Sequence, residues 1–357
     1  MIEAAIDALL AEAIDAGVCS AAAASVGAPG RRTEWLRGRT HTAGVPIGAT
    51  TPFDLASVTK PMATAMVALT LVEAGQLALG ASAARWLPAL PAPITVGHLL
   101  GHASGLPAHA KLYERIWGGE VQGDPRALLV ELASTTPLAY SPGELAVYSD
   151  LGFITLAAVC ERAGDAPFEE LVAAALAPLG LVGTRFVDLR KGERLAGAPA
   201  TELDVRRGLV EGEVHDENAH AGGGIAGHAG LFAPIGDVAR FAAAMATAPE
   251  LGVAGISAEL MRRAFTTAAA PATSWRLGWD TPSVVPGVSH AGDRWPRDRA
   301  VGHLGYTGTS VWLDWARGGY AVLLTNRVHP RRHRPEAMGI KELRRRFGDL
   351  AWAMIDR

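Results

Sequence analysis

The sequence predicts an α/β (α+β) protein: one antiparallel sheet assembled from both ends of the chain, flanked by N- and C-terminal helices, with a mainly helical segment inserted between. Three observations predict it. β-rich runs lie near both termini, an amphipathic helical run closes each end, and the long middle alternates helical patches with Gly- and Pro-rich connections. The chain has 357 residues, enough for one large domain or two that share a core. The expected division is 1–80 with 266–357 as the sheet part and 81–265 as the helical part, with the active site in the cleft between them.

The elements follow in order. Ile6, Leu9, Leu10, Ile14 and Val18 recur at helical spacing, and Gly17 ends the run. Ala22–Val26 and Thr33–Leu36 read as strands around the turn composition Gly27-Ala28-Pro29-Gly30. A second helical run extends from Pro61 to Leu79. Near the far end, Thr309–Trp315 and Tyr320–Thr325 are β-rich and joined by Ala316-Arg317-Gly318-Gly319, a hairpin signal. A last helix is expected over Lys341–Ile355. The chain has no internal repeat.

Composition narrows the function classes. Hydrophobic residues make up 49% and charged residues 19%, the balance of an ordinary globular enzyme. The net charge is -3, so nucleic acid is not an expected partner; the basic stretch Arg331, Arg332 and Arg334 reads as a solvated turn. Cys19 and Cys160 match no metal or redox spacing and read as small buried residues. The chain as given shows neither a secretory signal pattern nor an apolar run of membrane-spanning length, so no membrane association and a cytoplasmic location are expected unless a signal was trimmed. Of 33 basic residues only Lys60, Lys111, Lys191 and Lys341 are lysines. Arginine cannot be deprotonated in a protein, whereas lysine can be tuned to act as a base, so each lysine invites a functional question.

Three constellations carry chemistry. In Phe53-Asp54-Leu55-Ala56-Ser57-Val58-Thr59-Lys60-Pro61, the proline marks a helix start. Ser57 and Lys60 then share one face, and a lysine amine whose pKa is lowered by burial can take the serine proton. Chance alone gives about 0.15 such Ser-x-x-Lys pairs in a chain of this composition, so the pair needs support. Tyr148, in Tyr148-Ser149-Asp150 before a helical run, can accept the serine proton and hand it to a leaving group. In Gly302-His303-Leu304-Gly305-Tyr306-Thr307-Gly308, leading into the strand at Thr309, the glycines let substrate lie against a strand edge. A backbone N–H there can complete an oxyanion hole with the N–H of Ser57.

In this order and with these gaps, Ser57-x-x-Lys60, Tyr148-Ser149-Asp150 and His303-Leu304-Gly305 resemble the serine β-lactamase and penicillin-binding-protein superfamily. The tyrosine points to its class C-like branch, which includes D-Ala-D-Ala carboxypeptidases and β-lactamase-like carboxylesterases. Flanking segments agree, notably Ile94–Pro107, Pro142-Gly143-Glu144, Val214–Asn218 and Ala226–Phe232, so the resemblance covers nearly the whole chain. It implies a Ser57 acyl-enzyme with Lys60 and Tyr148 as proton carriers. It also implies substrate contacts from Asp150, His303, Leu304, Gly305 and Tyr306, the last supplying an oxyanion N–H.

The implied substrate is a small-molecule ester, a β-lactam or a D-amino-acid peptide, with no cofactor and no metal. Acyl transfer to a small-molecule alcohol and a non-catalytic ligand-binding relative are the alternatives. Two departures bear on substrate. Asp150 stands where the motif usually has Asn, so it can hold Lys60 but cannot donate to an amide carbonyl. His303 stands where Lys is frequent, which removes a permanent cation for a substrate carboxylate.

Other signals read as structural. Gly222–Gly227 matches the dinucleotide pattern G-x-G-x-x-G but lacks the preceding strand, so it is expected as a flexible loop near the site, beside His228. His98 and His102 have a metal-like spacing without a third ligand. His215-Asp216-Glu217 reads as a loop bonded to its own backbone. No Gly-x-Ser-x-Gly nucleophile elbow is present.

Overall fold

A computed structural model describes residues 1–119, 122–332 and 338–357. The chain opens with α1 (Ile2–Asp15), β1 (Ala21–Ala28), β2 (Arg31–Gly38) and the short β3 (Phe53–Asp54). A three-residue 3₁₀ turn, Ala56–Val58, and a wide π turn, Lys60–Ala65, lead into α2 (Met66–Glu73). The middle carries α3 (Val96–Leu100), α4 (Leu112–Trp117), α5 (Pro125–Ser134), α6 (Asp150–Gly164) and α7 (Phe168–Leu176). Then come β4 (Arg185–Phe186), β5 (Glu202–Asp204), β6 (Gly208–Val210), α8 (Glu217–Ala221) and β7 (Leu231–Ala233). The chain returns through α9 (Ile235–Leu251), α10 (Ala258–Thr266), β8 (Ala300–Leu304), β9 (Ser310–Asp314), β10 (Gly319–Thr325) and α11 (Ile340–Ile355). Among the described residues no helix is long and apolar enough to cross a membrane.

The five-stranded sheet has the order β2-β1-β10-β9-β8, and every pairing is antiparallel. Both ends of the chain therefore meet in one sheet, as expected. Its central strands are buried on both faces, which explains their unalternated apolar runs. Ala21 and Ala23 of β1 enter one core and Ala22 and Ala24 the other, following the period of two. The small side chains let helices approach from both sides. On one face lie α1 and α11, through Ile6, Leu9, Leu10, Leu343, Phe347 and Ile355. Each large apolar side chain buried this way contributes about 1.5–3 kcal/mol. On the other face α9 packs through Val238, Phe241, Ala242 and Met245, so a helix from within residues 81–265 covers the sheet.

Three expectations are corrected. The helix expected from Pro61 to Leu79 ends at Glu73, because Gly75 takes a left-handed φ of +72° and the N–H groups of Gln76 and Leu77 turn back onto the Leu71 carbonyl. Gly222–Gly227 is buried rather than a flexible loop: an added Cβ at Gly227 would collide with the Phe153 carbonyl, and Thr64 Oγ1 donates to the Gly227 carbonyl. The strand expected from Thr309 begins at Ser310, and His303 and Leu304 themselves lie on a strand, β8. Cys19 and Cys160 are buried and are not joined in a disulfide.

Candidate active site

Ser57 sits in the 3₁₀ turn just upstream of the π turn that begins at Lys60. It is therefore not inside the helix that Pro61 announces, but the geometry serves the same end, since residues three apart eclipse in a 3₁₀ turn. Ala56 holds a positive φ of 48°, a conformation costly for an L side chain, and the surroundings enforce it. The buried Asp54 carboxylate accepts the N–H of Ala56 at 2.8 Å and that of His215 at 2.7 Å. Thr307 Oγ1 donates to the Asp54 carbonyl at 2.8 Å, and Thr309 Oγ1 to the Leu55 carbonyl at 2.9 Å. The β8–β9 hairpin thus clamps the turn that carries Ser57.

Lys60 is fully buried. Its Nζ lies 3.0 Å from Ser57 Oγ, 2.6 Å from Tyr148 OH, 2.7 Å from Asp150 Oδ1 and 3.1 Å from the His228 carbonyl oxygen. Ser149 caps α6, accepting the Gly152 N–H at 3.1 Å, and its hydroxyl donates to the Pro107 carbonyl at 2.7 Å. Tyr148 and Asp150, on either side of that cap, are thereby both aimed at Lys60. The Tyr148 ring packs against both His102 and Trp275, with centroids 4.8 and 5.2 Å away.

The sequence left the charge state of the Lys60–Asp150 pair open. Burial opposes a charge on Lys60, but the adjoining Asp150 carboxylate outweighs it and holds the lysine pKa above its ordinary value. Burial opposes the Asp150 charge too, and Lys60 with His109 keeps that carboxylate well below the usual range. Burial pushes the Tyr148 phenol up to about 12 despite Lys60. At neutral pH the resting site is an ammonium–carboxylate pair beside two neutral hydroxyls, and the lysine is not pre-deprotonated. Asp150 in place of Asn is the cause.

The third motif forms the opposite wall. The N–H and C=O of Gly302 both face the outer edge of β8, where they bond Asp280. Strand alternation directs the polar groups of Leu304 to the same edge. Gly305 begins the turn, and Tyr306 is half-exposed. Among the described residues neither the Ser57 nor the Tyr306 N–H has an intramolecular partner. His303 is buried; its Nδ1 lies 2.9 Å from the Leu304 carbonyl oxygen, which assigns the proton to Nδ1 and leaves Nε2 an unpaired acceptor. Burial and the charge of Lys60 push the imidazole down to about 3, so it is uncharged at neutral pH.

These residues line a cleft of about 570 Å³. All eight residues singled out from the sequence gather here, with Lys60 just behind the wall. Two structural readings are corrected. His215, Asp216 and Glu217 line the cleft: Asp216 does cap α8, but it also lies 2.7 Å from His228 Nε2. Arg332 is no solvated turn residue; it pairs with Glu202 and with Glu217 on the cleft wall, while Arg334 lies outside the described residues. His98 completes a capping box with Thr95, and His102 Nδ1 accepts the Ser149 N–H at 3.0 Å. The sequence reading missed His109, Trp275, Asp280, Arg327 and Arg344, which belong to no motif and reach the cleft from four separate segments.

The family model described as Beta-lactamase matches residues 6–345. The chain belongs to the beta-lactamase family. A relative from Escherichia coli (strain K12), named "Putative D-alanyl-D-alanine carboxypeptidase", is 30% identical over 311 residues, spanning 80% of this chain and 71% of that protein. The octameric penicillin-binding protein homologue from Pyrococcus abyssi superposes with a TM-score of 0.75 at 19% identity, covering 99% of this chain and 78% of that one. EstCE1, described as a hydrolase with promiscuous acyltransferase activity, gives 0.73 at 21% identity, with 98% of each chain covered. At these identities the two structural likenesses establish the fold, the β-lactamase and penicillin-binding-protein architecture. The family and its relatives place the chain in a serine-hydrolase superfamily.

Proposed function

We propose that the chain hydrolyses an ester or amide through an acyl-enzyme at Ser57. One observation carries the reading: Lys60 Nζ touches both Ser57 Oγ and Tyr148 OH, at 3.0 and 2.6 Å, just behind the wall of the cleft that Ser57, Tyr148 and Tyr306 line. The reactive form has lost one proton from the Lys60–Tyr148 pair. Ser57 Oγ attacks the substrate carbonyl carbon as its own proton passes to that pair. The N–H groups of Ser57 and Tyr306 hold the oxyanion. Collapse breaks the C–O or C–N bond, and the same proton returns to the leaving group through Tyr148. Water then attacks the acyl carbon and gives a proton to the pair; as the acyl–Oγ bond breaks, the pair returns that proton to Ser57 Oγ and the acid leaves.

The substrate is a carboxylic ester, a β-lactam or a D-alanyl-terminated peptide. The carboxypeptidase-named relatives support the peptide, whereas the uncharged His303 supports a substrate without a carboxylate at that position. Parallel rates on p-nitrophenyl butyrate, nitrocefin and a D-Ala-D-Ala peptide rank them. The acyl-enzyme itself is tested by a fluorophosphonate probe and mass spectrometry. The adduct is expected on Ser57, and Ser57→Ala is expected to lose turnover by a factor on the order of 10⁴. A Ser57→Ala protein that keeps wild-type turnover ends the proposal.

A further inference from the structure

The carboxylate that pairs with Lys60 has a second face. Asp150 Oδ1 lies 2.7 Å from Lys60 Nζ, and its Oδ2 lies 3.6 Å from His109 Nδ1, in a ring that is 47% exposed at the cleft. The position of His109 is built. Of the carbonyls flanking it, Pro107 accepts Ser149 Oγ at 2.7 Å, Ala108 accepts the Asp150 N–H at 2.9 Å, and Ala110 accepts Asn218 Nδ2 at 2.9 Å. Two of those donors are the cap and first residue of α6, the element that delivers Asp150. The loop and the carboxylate are therefore one rigid unit, with the imidazole on the side away from Lys60.

We propose that His109 is a positioning residue of the serine site, a second cation that divides the Asp150 carboxylate with Lys60 and so eases the release of the Lys60 proton. The inference rests on the acyl-enzyme reading above. A carboxylate held by one cation binds it fully; held by two, it binds each less firmly. The charged groups facing His109 are Asp150 from α6 and Asp216 and Glu217 at the start of α8, and all three favour its protonated form. Lys60, Tyr148 and His228 also face the Asp150 carboxylate, and His228 Nε2 lies 2.7 Å from Asp216 Oδ1. A half-exposed imidazole–carboxylate pair contributes little to stability, so its effect is expected in the rate.

The signature is a pH dependence with a definite sign. While His109 carries its proton, which Asp150, Asp216 and Glu217 favour, its charge favours the form with Lys60 neutral. At the alkaline end, where His109 has lost its proton, the advantage disappears. The experiment measures kcat/KM with p-nitrophenyl butyrate from pH 6 to 10 for the wild type, His109→Gln, His109→Arg and each combined with Asp150→Asn. His109→Gln is expected to lose about 3- to 10-fold at the acid end of this range, to converge on the wild type toward its alkaline end, and to leave KM nearly unchanged. His109→Arg, a permanent cation, keeps the neutral-pH rate, and with Asp150→Asn the His109 substitutions have no further effect. A loss equal at all pH values, no loss at all, or a loss that persists without the carboxylate overturns the proposal. Ser57→Ala separates the two levels: an active Ser57→Ala protein removes the reading beneath, whereas an inactive one with a pH-flat His109→Gln response removes only the role of His109.

Discussion

Asp150 decides the resting protonation of this site, and a single atom exchange tests it. Replacing its carboxylate by an amide leaves the side-chain shape but removes the charge 2.7 Å from Lys60 Nζ. Lys60 stays buried, and burial alone lowers a lysine pKa. Asp150→Asn is therefore expected to move the acid limb of the kcat profile down by about 1–3 pH units. The wild-type rate should still be climbing at pH 9 where the variant has levelled off. A stopped-flow pH series on one ester decides it, and coincident profiles would show that Asp150 does not govern the proton on Lys60. Ser57, Lys60 and Tyr148 were legible because a proline and two ordered motifs mark them. Their charge state was not, since it depends on how completely Lys60 is enclosed and on which carboxylate oxygen reaches it. His109 illustrates the same limit: it lies far from Asp150 in sequence, and only the folded loop brings the two together.

The β8–β9 hairpin acts as the clamp of the nucleophile turn. Thr307 and Thr309 hold the carbonyls of Asp54 and Leu55, and Gly305 has no room for a side chain because an added Cβ would overlap Thr309 Oγ1. Thr307→Val keeps the shape but leaves the buried Asp54 carbonyl unpaired, at a cost of about 1–3 kcal/mol. Its kcat/KM is expected to fall well beyond what its thermal melt implies, because the freed turn carries Ser57 at a strained neighbour, Ala56. Unchanged kcat/KM alongside the lowered melt would mean the clamp serves stability only. At this scale the strands were readable where turn residues bracket β-rich runs, as in β9 and β10. Shorter elements such as β3 and β7 escaped, because two or three residues carry no periodicity and exist only through their partner strand.

Across the whole molecule, buried neutral histidines set the response to acid. His303 is held at about 3, and His102 well below its ordinary value, in both cases chiefly by burial. Their folded pKa values lie below the unfolded value of about 6.5. The unfolded chain therefore binds protons that the native chain refuses as pH falls below about 6.5, and stability falls with it. Each such histidine is expected to remove about 1.4 kcal/mol per pH unit, down toward its folded pKa. Urea titrations at pH 7, 6, 5 and 4.5 should show that slope, and His303→Gln should show a shallower one. A pH-independent midpoint over this range would contradict the burial of both imidazoles. The two cores on either side of the sheet are also a whole-molecule property, and the alanine run of β1 makes sense only once helices are seen on both faces.

Read alone, the sequence determined the sheet built from both termini, the family, and the gathering of Ser57, Lys60, Tyr148, Asp150, His303 and Tyr306 at one cleft. Those features are written in short-range patterns: a proline three residues beyond the serine's turn, glycines beside a strand, turn residues between apolar runs. The tertiary structure decided what depends on distance and enclosure. It charged Lys60, neutralised His303, placed His215, Asp216, Glu217 and Arg332 on the cleft wall, and set His109 against Asp150. Electrostatics in a buried site follows desolvation and a few ångströms of separation between groups far apart in the chain, and no local pattern encodes either.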